Sequence, residues 1–246
     1  MAEPIGEIKA EAGRVVDAAA AAQLALCLVG GIGIARLCPS TGEPPLRRAY
    51  ADIDLAGRSD DRDRIAALFA ELGYQADEAF NTLHGHRRLF FWDPVNSRQV
   101  DVFLDEFEMC HTLRLVDRVA VGRPTVPLAD LLLMKLQVME TNEKDLIDIV
   151  ALLVDNEFTE DDTGIDLTYI TELVGSDWGL WKTTATVAER AGQFAQGLEG
   201  VDAGRLHDQI RSYLTALDEC PKTRGWRMRA RVGERKRWYS LPEEVG

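Results

Sequence analysis

Two aspartates one residue apart, Asp52 and Asp54, carry the first sign of chemistry in the sequence. They lie in Asp-Ile-Asp-Leu, where alternation across a strand turns both carboxylates to one face and sends Ile53 and Leu55 into a core. Carboxylates about 7 Å apart on one strand face repel each other when unpaired, yet are well spaced to grip a hard divalent cation. Upstream, the apolar run Leu24–Val29 ends in Gly30-Gly31. Glycine adopts positive φ and lets backbone approach a bulky anion, and the N–H groups opening a following helical turn would face that anion. Glycines for phosphate and an Asp-x-Asp for metal together describe a nucleotide site.

Such residues need a sheet to hold them, and the periodicity supplies one. The pattern predicts a helix over residues 5–22, strands over 24–29 and around Asp52, and a helix over 62–72 closed by Gly73. Short strands follow at 74–76, 87–92 and 98–104, the last two joined by Asp93-Pro-Val-Asn-Ser97. In the last strand Val100, Val102 and Leu104 share one face and Asp101 takes the other, an unusual place for an acid among β-branched neighbours. Asp105 would lie on the same face as Asp101. Residues 113–126 read as one or two further strands. Helices over 128–140 and 144–156 place Lys135 inside an apolar run and Asp145 and Asp148 on a polar side. Two or three helices between 167 and 217 complete the chain. The fold class is therefore α/β: a small mixed sheet with flanking helices over 1–155, a helical domain over 156–221, and a basic tail over 222–246.

The order of these features resembles the polymerase-beta-type nucleotidyltransferase superfamily, whose signature is a hydrophobic residue, Gly, Gly or Ser, a spacer, then Asp-hydrophobic-Asp/Glu. Here Val29-Gly30-Gly31 and Asp52-Ile53-Asp54 match it, with a long spacer and Tyr50 where a small hydroxyl residue often stands. The branch most resembled is that of the abortive-infection (AbiE-like) toxin nucleotidyltransferases, through Arg48 four residues before the first Asp. A later Leu-Leu-x-Lys-Leu-Gln and Asn-Glu-Lys-Asp-x-x-Asp, containing Lys135 and Asp148, is similar to the branch's helical motif. The resemblance spans roughly residues 24–155. It implies transfer of a nucleoside monophosphate from an NTP to an acceptor hydroxyl or phosphate, with Mg²⁺ (or Mn²⁺) held by Asp52, Asp54 and Asp101, Asp105 being the alternative third carboxylate. Asp101 would also serve as base, Gly30 and Gly31 would cradle phosphates, and Lys135 would offset charge on the departing pyrophosphate. Arg48 and Asp148 would belong to the nucleotide-binding side. It also implies an RNA acceptor, such as a tRNA end, or an antitoxin protein as partner. The alternative classes are a catalytically silent nucleotide-binding module and a protein-interaction module.

Composition narrows the remaining possibilities. Cys27, Cys38, Cys110 and Cys220 lack metal-finger spacing and point to a reduced, cytoplasmic setting. The Ala-rich run 18–35 is broken by Gln23 and three glycines and does not read as a membrane span. His84-Gly-His86 has no third ligand near it, and no Ser/His/Asp or Cys/His arrangement can be assembled. Net charge is −13, against general nucleic-acid binding by the body. Between Lys222 and Tyr239, however, eight basic residues face Glu234 alone, making this stretch +7 and the remainder −20. Alternate Arg227, Arg229 and Arg231 suggest a basic hairpin. It would either track an RNA backbone or, as expected here, dock on the acidic body, where Glu143–Asp166 holds nine acids against Lys144.

Overall fold

A computed structural model describes residues 3–241. The chain forms two compact units. One comprises the chain up to Arg36 with Ala49–Phe107 and Leu113–Pro127; the other comprises Leu37–Arg48, Glu108–Thr112 and the chain from Leu128 onward.

The first unit is built on a five-stranded mixed sheet. Its strands are β1 (Cys27–Leu28), β2 (Asp52–Gly57), β3 (Gln75–Ala76), β4 (Arg88–Asp93) and β5 (Arg98–Leu104), in the order β1-β2-β5-β4-β3. Only β2 and β5 run parallel; the other neighbours are antiparallel. Ile53 and Leu55 of β2, Leu89 and Phe91 of β4, and Val100, Val102 and Leu104 of β5 all enter the core. Helix α1 (Ile8–Ala21) covers that face with Ala12, Val15, Val16 and Ala19, a one-sided stripe at helical spacing. The Glu7 side chain caps its first turn by accepting from the N–H groups of Lys9 and Ala10. Helix α2 (Gly30–Leu37) follows β1 directly, and α3 (Arg62–Glu71) adds Ile65, Leu68 and Phe69 to the core. Phe69 stacks on Phe91 with ring centroids 4.2 Å apart.

The first strand is shorter than expected because only Cys27 and Leu28 pair with β2. A helix absent from the sequence expectation, α4 (Glu78–His84), lies before β4, its first turn capped by Asp77 accepting from Phe80 N–H. Over 113–126 the regular structure is a short strand, Thr112–Arg114, after which Leu115, Val119 and Val126 are buried in loops.

The second unit is helical: α5 (Leu128–Leu136), α6 (Glu143–Asp155), α7 (Leu167–Ser176), α8 (Trp178–Ala195), α9 (Ala203–Glu219) and α10 (Arg224–Val232). The acidic stretch after α6 contains a small parallel pairing of Phe158–Thr159 with Ile165–Asp166. The expected hairpin in the tail is corrected by α10. Thr223 caps it by accepting from Trp226 N–H, Arg, Met and Ala favour helix, and Gly233 at φ 57° ends it. Helical spacing brings Trp226 edge-on to Trp181 and lays the Arg229 guanidinium over Trp178 at 4.5 Å. An extended strand would not offer both to α8. Among the described residues α10 packs on α7 and α8. Residues 242–246 of the expected tail lie outside the described residues. Among the described residues no helix is long and apolar enough to cross a membrane.

Candidate active site

The parallel pairing of β2 with β5 decides the site. Its register sets Asp54 opposite Asp101 and Asp52 opposite Gln99. Side chains at paired positions share a face, so Asp52, Asp54 and Asp101 all lie on the side of the sheet away from Ile53, Leu55 and Val100. Asp52 is exposed, Asp54 half-buried, and Asp101 only 6% exposed.

Asp101 sits beside a residue that the sequence reading overlooked. Arg88 on β4 donates from Nε to Asp101 Oδ1 at 2.7 Å. Its guanidinium lies 4.9 Å from the Phe103 ring and 5.8 Å from that of Phe80, the latter supplied by α4. The β4–β5 hairpin pairs Phe90 with Asp101 and Arg88 with Phe103, so Arg88 reaches Asp101 diagonally. That pairing was the available signal: with the turn at 93–97 recognised, counting back along both strands leads to it. Burial pushes the Asp101 carboxyl above its ordinary range; Arg88 pulls it back by hydrogen bond and charge, and the negative charge of Asp52 adds to the rise. The net shift is upward.

Gly30 is fitted to the same place. It opens α2 at φ 60°, a left-handed conformation, and a Cβ there would stand 2.3 Å from Asp54 Oδ2. The β1–α2 junction is held to β2 by the Val29 N–H, which donates to the Asp54 carbonyl at 2.9 Å. The first N–H groups of α2, beginning with Gly30 and Gly31, have no acceptors within the helix. They form the positive end of its dipole, next to the Asp54 side chain.

Asp105 has other duties. It takes φ 63° and its carboxylate accepts from the Ser59 N–H at 3.1 Å and from the Ser59 hydroxyl. His84 packs its ring against Phe80 at 4.8 Å.

In the second unit, Arg48, Lys135 and Asp148 come together. Arg48 donates Nε and Nη2 to the two oxygens of Asp148 at 2.8 and 2.7 Å, a bidentate pair on a fully buried carboxylate. Lys135 Nζ lies 3.0 Å from Asp148 Oδ2 and 2.8 Å from Asp145 Oδ1. Asp145 meanwhile completes the capping box of α6 with Asn142. Burial by itself would lower the Lys135 pKa, but Asp148 and then Asp145 outweigh it, and the net shift is upward. The Pro-rich loop forms a tight turn, Pro39–Gly42, fixed to α6 by the Ser40 N–H donating to Asp155 at 2.9 Å.

Among the described residues no three His, Cys, Asp or Glu side chains converge as a ready metal cage. Magnesium does not require one, since one or two carboxylates commonly hold it while water and substrate phosphates complete the octahedron. Asp52 and Asp54 offer hard oxygens of that kind on one strand face. One oxygen of Asp101 is already engaged by Arg88.

No family model matches the chain, and no curated protein matches it. Among solved structures, the antibiotic-resistance factor ANT(2'')-Ia is similar over 78% of this chain and 97% of its own length, at 12% identity and a TM-score of 0.41. JHP933 from Helicobacter pylori is similar over 94% of this chain and 100% of its own, at 9% identity and a TM-score of 0.43.

Proposed function

We propose that the first unit carries a nucleotidyltransferase site of the polymerase-beta type, moving a nucleoside monophosphate from an NTP to an acceptor hydroxyl or phosphate. The observation that carries this reading is the register setting Asp54 beside Asp101, with Asp52 on the same face and Gly30 closed against the Asp54 carboxylate. Asp52 and Asp54 would hold Mg²⁺ with the triphosphate. When bound, the ion would neutralise phosphate charge and lower the acceptor's pKa. The N–H groups opening α2 suit an anion, and the absence of a side chain at Gly30 keeps the approach to Asp54 short. Asp101 is suited to receive the acceptor's proton: its raised pKa makes it a better base than an exposed aspartate. Arg88 fixes its orientation through one oxygen and leaves the other to the proton. Positioning and charge, rather than covalent chemistry, supply the rate.

The reading is tested by incubating the protein with each of the α-labelled NTPs, Mg²⁺ and total cellular RNA, with free protein and small hydroxyl compounds as further acceptors. Label should pass from at least one NTP to an acceptor, and Asp54→Asn should reduce the rate by about 100-fold or more without loss of fold. If no label moves to any acceptor, or if Asp54→Asn is as active as the wild type, the assignment fails.

A further inference from the structure

The tail divides its basic residues between two faces. Trp226, Arg229 and Trp238 turn inward: Trp226 meets Trp181, Arg229 covers Trp178, and Trp238 Nε1 donates to Thr183 Oγ1 at 3.1 Å. Arg229 is held further by donating to the carbonyls of Gly233 and Lys236 at 2.7 and 2.9 Å. Outward stand Arg224, Arg227, Arg231, Arg235, Lys236 and Arg237, all exposed. The first three recur at helical spacing along α10, so they form one stripe. Glu234 is committed to Lys182 at 2.9 Å, and none of the six has a carboxylate partner among the described residues.

We propose that this stripe is a binding surface for the phosphodiester backbone of a nucleic acid. Five of the six cations are arginines, whose planar fork matches a phosphate with two hydrogen bonds. Crowded cations without partners repel one another, and a polyanion relieves that repulsion. With −20 on the rest of the chain, a polyanion is repelled elsewhere and confined to this stripe. A membrane surface fits poorly, because interfacial helices bury a broad apolar face and the indoles here are turned inward. An acidic polypeptide lacks the condensed counterions whose release drives cation binding to nucleic acid. The proposal stands independently of the nucleotidyltransferase reading, since it concerns binding alone.

The test is fluorescence anisotropy of the full chain with a labelled single-stranded RNA and a duplex DNA, each about 20 nucleotides long, across a salt series. For Arg224→Gln/Arg227→Gln/Arg231→Gln, RNA affinity should fall on the order of tenfold and the slope of log affinity against log salt should flatten by about 2. The melting temperature should hold or rise slightly, because the inward face is intact and repulsion within the stripe is relieved. The corresponding triple Lys variant should keep the salt slope. Binding of either probe that depends on these arginines supports the proposal, and the better-bound probe identifies the source. No binding by the wild type at low salt, an unchanged slope in the Gln variant, or equal competition by polyglutamate would overturn it.

Discussion

Replacing Gly30 with alanine probes the closest approach in the candidate site. Its φ of 60° lies in the left-handed region, which costs an L-residue about 1–2 kcal/mol. The new methyl would also meet Asp54 Oδ2 at 2.3 Å, with Asp54 Cβ and Cγ at 3.1 Å. The carboxylate must therefore rotate away, and an off-rotamer side chain costs about 0.5–1.5 kcal/mol. Together these predict about 2–3 kcal/mol of destabilisation, or roughly 5–10 °C in melting temperature for a chain of this size. Gly13→Ala is the matched control: nothing lies within 4 Å of its added methyl, and it sits inside α1. That change should stabilise by about 0.5–1 kcal/mol through helix propensity. Both are read by thermal melting followed by circular dichroism. Repeating Gly30→Ala in an Asp54→Ala background separates most of the steric cost, because the 2.3 Å contact goes with the carboxylate while the 3.1 Å approach to Cβ and the left-handed part remain. A coupling near zero would refute the contact. A Gly30→Ala protein that melts with the wild type would refute the backbone assignment as well.

Asp101 binds its proton more tightly in the folded state than in the unfolded one, so its contribution to stability should decline as pH rises from the ordinary Asp value of 3.8 through its raised pKa. Subtracting the Asp101→Asn stability profile from that of the wild type should show this decline; a difference that rises with pH over that window would contradict it. Lys135→Gln leaves Asp148 with Arg48 alone and should cost about 2–4 kcal/mol in chemical denaturation at neutral pH. Because the Lys135 pKa is raised, this advantage should be complete below its ordinary value of 10.5 and fade only as pH climbs through the folded value. An equally stable Gln variant would mean the ammonium is not held there. Trp226→Ala removes the edge contact with Trp181 and should cost about 1–3 kcal/mol, with a shift in tryptophan emission; unchanged emission and stability would place α10 off the helical unit.

Strict alternation already fixes which way Asp52 and Asp54 face relative to Ile53 and Leu55, and the run of Val100, Val102 and Leu104 does the same for Asp101. The α/β class, the 98–104 strand and the long C-terminal helices follow from local pattern, because burial of one face imposes a period that a sequence cannot hide. The tail misled for the opposite reason. Arg227, Arg229 and Arg231 alternate as in a strand, but the helix is fixed by Trp226 and Arg229 packing on Trp181 and Trp178, some fifty residues away, while Arg227 and Arg231 stay exposed. Helix α4 was likewise illegible, being a short segment with little apolar period of its own.

The sequence alone therefore determined the site's ingredients: the residue types, their faces, and the glycine before the helix. Only the tertiary structure decided their pairings. That Asp54 stands beside Asp101 depends on β5 joining β2 in parallel, with β4 on its far side. That Arg88 takes Asp101 depends on hairpin register, and that Arg48 and Lys135 share Asp148 depends on chain segments about a hundred residues apart. Local periodicity records which way a side chain must turn, because each residue meets the solvent or the core by itself. A partner's identity is a property of two distant segments at once, and folding writes it only when their backbones are brought into register.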